Sequence, residues 1–260
     1  MNRARKVGAV GAVLLLPALV LAQPAPSLAH SATSIVQNMV AVQRRDAAQG
    51  RAYTVVRNYE LWGHGPQARQ AEVLTRVDFV PPDRKSFAIL RQRGSGRGAS
   101  VVRRLLEGEV ESSASNGASE ISERNYQFAY TGQELLDGRR CEVLRVEPRR
   151  QERNLLRGRV WVDASTYRLV RLEGEPARNP SWWVKATHVT INFAERDGRS
   201  LPVASTMAAD VRLFGPHLLT WHEVSYQGQP APVAADAKPR GSGRWGLRRP
   251  VPAVIEPPLR

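Results

Sequence analysis

Residues 138–174 read GRRCEVLRVEPRRQERNLLRGRVWVDASTYRLVRLEG, and this stretch decides the fold class. Within it, residues 140–146, 158–163 and 167–174 are runs rich in Val, Leu and aromatic residues, separated by Gly, Pro, Asp and polar residues. Short runs of this kind are typical of β-strands. The connections are of hairpin length and too short for the crossovers that parallel strands need. The stretch therefore predicts an antiparallel meander.

The same pattern continues on both sides. Asp137-Gly138 and Asp197-Gly198 stand between strand-like runs as tight-turn dipeptides, because glycine adopts positive φ without steric cost. Further strands are predicted at Tyr53–Leu61, Ala71–Phe79, Arg84–Gln92, Tyr126–Tyr130, Trp182–Phe193, Leu201–Phe214 and Leu218–Tyr226. Without alternating helices to supply crossovers, we predict a mainly β protein with α (α+β), a large curled antiparallel sheet with a few helices against one face.

Two helices are predicted beside the strands. Ser34 begins a capping-box pattern, and apolar residues at helical spacing make residues 31–49 an amphipathic helix. Ser100 should cap a shorter helix over residues 100–107. The polar stretch 107–124 has almost no apolar residues, so it is interpreted as a surface loop, and its glutamates as a solvated face.

The chain is strongly basic. Its 260 residues include 38 Lys and Arg against 24 Asp and Glu, a formal net charge of +14. The bases are scattered in pairs such as Arg44-Arg45 and Arg248-Arg249, whereas a nucleic-acid site needs them on one face or segment. We therefore favour a solvated surface and predict no nucleic-acid partner, while contact with an anionic membrane surface stays an open alternative.

Residues 1–22 have the features of a signal peptide. Three bases precede an apolar stretch at residues 7–21, which is too short to span a membrane and ends in a small-residue cleavage pattern at Ala22, or alternatively at Ala29. We expect an exported, soluble protein. An uncleaved N-terminal anchor is the alternative.

The folded domain is predicted to span residues 30–226. Residues 227–260 hold seven of the 18 prolines together with several arginines and few strand-forming residues. This composition predicts a disordered basic tail.

No motif for catalysis or metal binding is apparent. The five histidines are never two, three or four residues apart, and nucleophile-elbow and Walker A sequences are absent. The single cysteine, Cys141, lies in a strand-like run, where a small core residue is the usual role. We therefore predict no enzyme, no cofactor and no metal.

Pairs of aromatic and aliphatic residues that lie two positions apart in a predicted strand point to the same face of it, and these pairs suggest an apolar cavity. The candidate lining residues are Val77, Phe79, Phe87, Ile89, Phe128 and Tyr130. A dry core built from the same residues is the alternative, because parity alone does not say which face encloses a cavity.

Linked motifs resemble a known superfamily. Gly138–Pro148, then Gly158-Arg-Val-Trp-Val-Asp163, then Tyr167–Val170 and Asp197–Pro202 are similar to the periplasmic outer-membrane lipoprotein-sorting proteins of the LolA/LolB/RseB-like superfamily. The likeness runs from about residue 31 to residue 226. It implies a half-barrel sheet, with helices acting as a lid over an apolar cavity on its concave side.

The resemblance also implies a function and a compartment. It predicts a periplasmic protein that binds lipid or lipoprotein acyl chains noncovalently, as in outer-membrane lipoprotein sorting. The alternative is an envelope sensor or interaction module that binds a protein or an anionic polymer, with the cavity filled by its own side chains.

Overall fold

The structure, a computed structural model, describes residues 31–63, 69–115, 117–179, 181–182 and 184–228. The predicted signal peptide lies outside these residues, as does the predicted tail beyond residue 228. No helix of the described part is both long enough and apolar enough to cross a membrane.

The described residues form two helices and ten strands. The helices are α1 (Ala32–Ala48) and α2 (Gly96–Ala114). The strands are β1 (Tyr53–Trp62), β2 (Arg69–Val80), β3 (Arg84–Gly94), β4 (Tyr126–Leu136), β5 (Arg139–Pro148), β6 (Leu156–Asp163), β7 (Leu169–Pro176), β8 (Val184–Arg196), β9 (Arg199–Val211) and β10 (Gly215–Gly228).

All ten strands belong to one antiparallel sheet with the order β3-β2-β1-β10-β9-β8-β7-β6-β5-β4. The chain runs outward from β1 to the edge at β3 and passes through α2 to the opposite edge at β4. It then returns strand by strand until β10 pairs with β1. Among the described strands β3 and β4 do not pair, so the sheet stays open. The predicted mainly β class and antiparallel sheet are confirmed.

Both helices pack on the same face of the sheet, here called the helix side. Met207 on β9 opposes Val189 on β8 and Leu219 on β10, and opposed residues of antiparallel strands point to one face. Val189 belongs to the buried cluster under α1, and Leu219 to the cluster under α2. The predicted arrangement of helices against one face is therefore confirmed.

Each helix covers its own hydrophobic cluster. The α1 cluster joins Ile35, Val36 and Met39 of the helix to Tyr126, Leu144, Val146, Val160, Val162 and Leu172 of the sheet. The α2 cluster joins Ala99, Val102 and Leu106 to Tyr53, Val55, Tyr59, Leu61, Val73 and Val77. On the opposite face a smaller cluster holds Cys141, which is fully buried, with Val143, Trp161 and Val170.

Both helix caps lie upstream of the predicted ones. The Ser31 hydroxyl accepts a hydrogen bond from the Ser34 N–H at 3.1 Å, and the Ser95 hydroxyl accepts one from the N–H three residues later. The predictions of Ser34 and Ser100 as caps are therefore wrong. An earlier serine already satisfies the free N–H groups of each first turn, so the helix extends back to it.

The predicted surface loop at residues 107–124 is wrong as far as Ala114, because α2 continues to that residue. Apolar periodicity fails there, yet the polar side chains find partners on the sheet. The Ser113 hydroxyl donates to the Asp83 carbonyl at 2.7 Å, and Glu109 pairs with two bases. Glu109 is therefore not part of a solvated face.

Candidate ligand site

The fold does not gather the six predicted cavity residues in one place. All of them lie on the helix side, but at two separate positions along the sheet. Val77, Phe79, Phe87 and Ile89 are on β2 and β3 beside the α2 cluster, whereas Phe128 and Tyr130 are on the edge strand β4. A single cavity lined by all six is therefore not present among the described residues.

Their surroundings differ as well. Val77 is buried beneath α2 and opposes Phe87, whose side chain packs against the same cluster. Tyr130 is 39% exposed, and its hydroxyl donates to the Glu142 carboxylate at 2.9 Å. Phe79 stacks on Tyr53 with 5.1 Å between ring centroids and also borders an open space.

That space is a cleft of about 210 Å³ beside the C-terminal half of α1, here called the seam cleft. It lies where the α1 cluster approaches the α2 cluster, at the sheet end that carries the β2–β3, β6–β7 and β8–β9 turns. Its apolar walls come from Val42, Phe79, Leu169 and Leu201. Among the six predicted cavity residues, Phe79 is the one that lines it.

Charged groups form one rim of the seam cleft. Arg168, in the turn between β6 and β7, makes an ion pair with Asp46 of α1, and its Nε lies 3.6 Å from a carboxylate oxygen of Glu195. The preceding Tyr167 has a φ of +56°, so the turn reverses sharply just before the arginine. Asp163 holds this turn by accepting backbone N–H bonds from the two residues after Ala164.

A second base and an unsatisfied donor complete the rim. The Arg199 guanidinium donates to the Arg51 carbonyl at 3.2 Å and stacks over the Tyr53 ring at 5.1 Å. The Gln43 amide nitrogen is buried and has no hydrogen-bond partner among the described residues. Buried N–H groups are normally satisfied, so the Gln43 donor indicates a place for an acceptor.

Apolar walls beside the Arg199 guanidinium and the Gln43 N–H group would suit an amphiphile, a molecule with an apolar chain and an anionic head, whereas Arg168 at the same rim is already paired with Asp46. The chain would displace water from Phe79 and Leu201, while the head would accept hydrogen bonds at the rim. The cleft is smaller than the roughly 300–1,000 Å³ of ordinary ligand sites. A long acyl chain therefore requires α1 to move away from the sheet.

A buried ionic group stands apart from this cleft, under α2. Arg57 on β1 is 3% exposed, and its guanidinium contacts the Glu109 carboxylate at 2.8 Å. Lys85 on β3 reaches the other oxygen of the same carboxylate, also at 2.8 Å. The Arg57 guanidinium also stacks on the Trp221 ring, 4.4 Å from its centroid. Glu109 thereby attaches α2 to β1 and β3.

The proton affinities of this group reflect its burial and its partners. Burial opposes the charged form of Glu109, but Lys85 and Arg57 outweigh it and hold the pKa of Glu109 at about 2. Burial raises the pKa of Tyr59 to about 12, although Arg57 opposes the rise. Burial also disfavours the charged guanidinium, yet Glu109 raises the pKa of Arg57.

Sequence reasoning missed both the seam cleft rim and the Arg57 group. The sequence did indicate that Arg57 is buried, because it lies between Val55 and Tyr59 on the face of β1 whose side chains are buried. An arginine at a buried strand position requires a partner. The partner, Glu109, lies 52 residues further along the chain, so its identity was not visible in the local pattern.

No group of three or more metal-ligating side chains converges within the described ranges. No protein-family model and no curated protein matches the sequence.

Several solved structures are similar to this chain. One is an outer membrane lipoprotein-sorting protein domain from Vibrio parahaemolyticus, 15% identical, covering 75% of this chain and 91% of that one, with a TM-score of 0.35. Another is a LolA superfamily protein from Nitrosomonas europaea, 14% identical, covering 78% and 95%, with a TM-score of 0.34. A third is MucB in complex with MucA, 11% identical, covering 77% and 100%, with a TM-score of 0.24.

The fold of this chain is defined by the pairing of its own ten strands.

Proposed function

We propose that this protein is a periplasmic, non-enzymatic binding protein that holds an acyl chain of a lipid or lipoprotein in the seam cleft. The observation that carries the proposal is the cleft itself, with apolar walls and a rim of Arg199, Gln43 and the paired Arg168 and Asp46. Each buried methylene of the ligand would contribute about 0.8 kcal/mol. An anionic head would add charge-assisted hydrogen bonds.

The attachment of α1 supports an opening at this position. Among the described residues, the polar side-chain contact of α1 with the rest of the domain is the ion pair of Asp46 with Arg168, which lies in the β6–β7 turn. The other contacts are apolar, made by side chains such as Ile35 and Met39. An acyl chain can replace apolar contacts with similar ones, so a bound ligand would offset part of the cost of displacing α1.

A steric block tests this proposal. Ala47 lines the seam cleft, and Ala48 does not, although both are exposed at the end of α1. Tryptophan at position 47 should fill the entrance, so Ala47→Trp should weaken binding of a dansyl-labelled fatty acid by about tenfold or more. Fluorescence titration measures the affinity, and thermal melting checks that the variant is folded.

Ala48→Trp is the matched control and should bind the probe as the wild type does. Equal affinity of the two variants would show that the fatty acid does not enter the seam cleft.

The second candidate is a sensor or interaction module. It is favoured by the packing of the helix side, where Ile35, Val36 and Met39 are almost completely buried by the chain itself. Native mass spectrometry with lipid extraction separates the two functions. Copurified lipid supports the binding protein, and a ligand-free mass together with an unchanged dansyl signal supports the module.

A further inference from the structure

An exposed apolar tip lies at the sheet end opposite to the seam cleft. It consists of Trp182 in the β7–β8 loop and Leu213 and Phe214 in the β9–β10 turn, which are 86%, 100% and 62% exposed. Val184 pairs with Val211, so the two connections emerge from neighbouring strands at the same end. These three residues are called the apolar tip below.

The fold holds the apolar tip in place. The Arg212 side chain donates from Nε to the Trp182 carbonyl at 3.2 Å, which links the two connections. Asn179 donates to the Val184 and Lys185 carbonyls at 3.2 and 3.3 Å. The Phe214 N–H donates to the Val211 carbonyl at 3.1 Å and closes the turn.

The stability of the protein does not explain the residue at position 213. Leu213 has a φ of +69°, a conformation that favours glycine or asparagine. Its side chain is fully exposed and buries no apolar surface. A leucine there therefore gains neither from conformation nor from packing, which indicates contact with something outside the chain.

The charges around the tip indicate an anionic surface. Arg178, Lys185 and Arg212 are exposed in the segments that carry the tip, and the acids there are Glu175, exposed at the end of β7, and Asp210. Asp210 lies 3.4 Å from the Lys185 Nζ, so it offsets one base. Exposed tryptophan, phenylalanine and leucine beside arginine and lysine match the interface of an anionic bilayer, where indole rings sit at headgroup level.

We propose that the apolar tip docks this protein on an anionic lipid bilayer. Trp182, Leu213 and Phe214 enter the headgroup region, and the neighbouring bases contact lipid phosphates. The seam cleft lies at the other end of the sheet and stays uncovered in this orientation. Docking therefore does not depend on the acyl site, and each can be tested without the other.

The test is co-sedimentation with large unilamellar vesicles of phosphatidylcholine containing phosphatidylglycerol, compared with phosphatidylcholine alone. All proteins begin after the predicted signal peptide and carry the same C-terminal residues to 260, so that the termini contribute equally. The triple variant replaces Trp182, Leu213 and Phe214 by serine. Its affinity for the anionic vesicles should be lower than that of the wild type by a factor of about ten or more. Since the replaced side chains are exposed, its melting temperature should be unchanged.

Leu135→Ser is the matched control, because Leu135 is 76% exposed at the β4–β5 end of the sheet. It should bind vesicles as the wild type does. Wild-type binding should also fall with added salt and be weak on phosphatidylcholine alone. Undiminished binding by the triple variant would overturn the proposal. So would a change in its oligomeric state, measured by analytical ultracentrifugation, without a change in vesicle affinity.

Ala47→Trp should retain vesicle binding, and the triple variant should retain binding of the dansyl probe. Failure of the docking proposal is thus distinguishable from failure of the proposed acyl site.

Discussion

At the scale of single residues, Glu109 is the side chain that joins α2 to the sheet. Its two oxygens meet Arg57 on β1 and Lys85 on β3, each at 2.8 Å. Removing one member of such a group leaves a charge without its partner, which is costlier than a lost surface ion pair. The attachment of α2 therefore combines this ionic contact with the apolar packing of Ala99, Val102 and Leu106.

The Glu109 carboxylate predicts a pH dependence of stability. Its pKa is about 2 in the folded protein, compared with 4.5 for a glutamate without these partners. As the pH falls, the unfolded chain therefore takes up the proton before the folded protein does. The stabilisation is complete above a pH of about 4.5 and is lost as the pH falls toward about 2. The difference in unfolding free energy between wild type and Glu109→Gln should shrink over this range in urea titrations.

Glu111→Gln is the control, because Glu111 is exposed on the same helix and pairs with no base among the described residues. It should unfold like the wild type throughout. A difference for Glu109→Gln that stays constant down to pH 3 would contradict the ionic role.

At the scale of elements, the start of α2 depends on which serine caps it. Ser95 accepts the hydrogen bond from the first turn, while the Ser100 hydroxyl donates to the Gly96 carbonyl within the helix at 2.9 Å. A local sequence pattern cannot rank two serines that both precede apolar residues. Ser95 is the cap because the chain leaves β3 directly before it, so the helix can begin there.

Substitution of the two serines should therefore have different effects. Ser95→Ala should lower the free energy of unfolding by about 1 kcal/mol, because a first-turn N–H loses its acceptor. Ser100→Ala should be neutral or slightly stabilising, since alanine has the higher helix propensity. Equal losses in urea unfolding would show that the helix begins elsewhere.

At the scale of the whole molecule, the sheet coils around its helices through a close contact of β6 and β7. Gly158 and Gly174 are opposed, and Gly158 also opposes Val146 of the α1 cluster. A Cβ at Gly158 would lie 2.0 Å from the Glu173 carbonyl oxygen and 2.6 Å from the Gly174 Cα. Glycine inside a strand is typical of such approaches and of sharply bent sheets.

Gly158→Ala should therefore destabilise the protein by about 2 kcal/mol or more, because the neighbouring strand has to shift. Gly108→Ala is the matched control, since a Cβ there meets no atom within 4 Å and the site lies inside α2. It should stabilise the protein by about 1 kcal/mol. Chemical denaturation measures both, and an unaffected Gly158→Ala would refute a tight β6–β7 contact.

The sequence by itself determined the strands, the hairpins and the antiparallel sheet. These features follow from alternation of side chains over a few residues and from turns such as Asp137-Gly138, which are local properties. It also placed Val77 and Phe79 on one face of their strand, because side chains two residues apart point the same way, but it did not say which face of the sheet that is.

Only the tertiary structure decided which of these residues lines a cleft and which polar groups stand beside it. Phe79 borders the seam cleft beside α1, whereas Phe128 lies on the edge strand β4, a separation that depends on the order of ten strands. Arg57 and Glu109, like Asp46 and Arg168, are distant in sequence and adjacent in space. Their pairing arises when the coiled sheet and its two helices pack together, and no local pattern encodes that geometry.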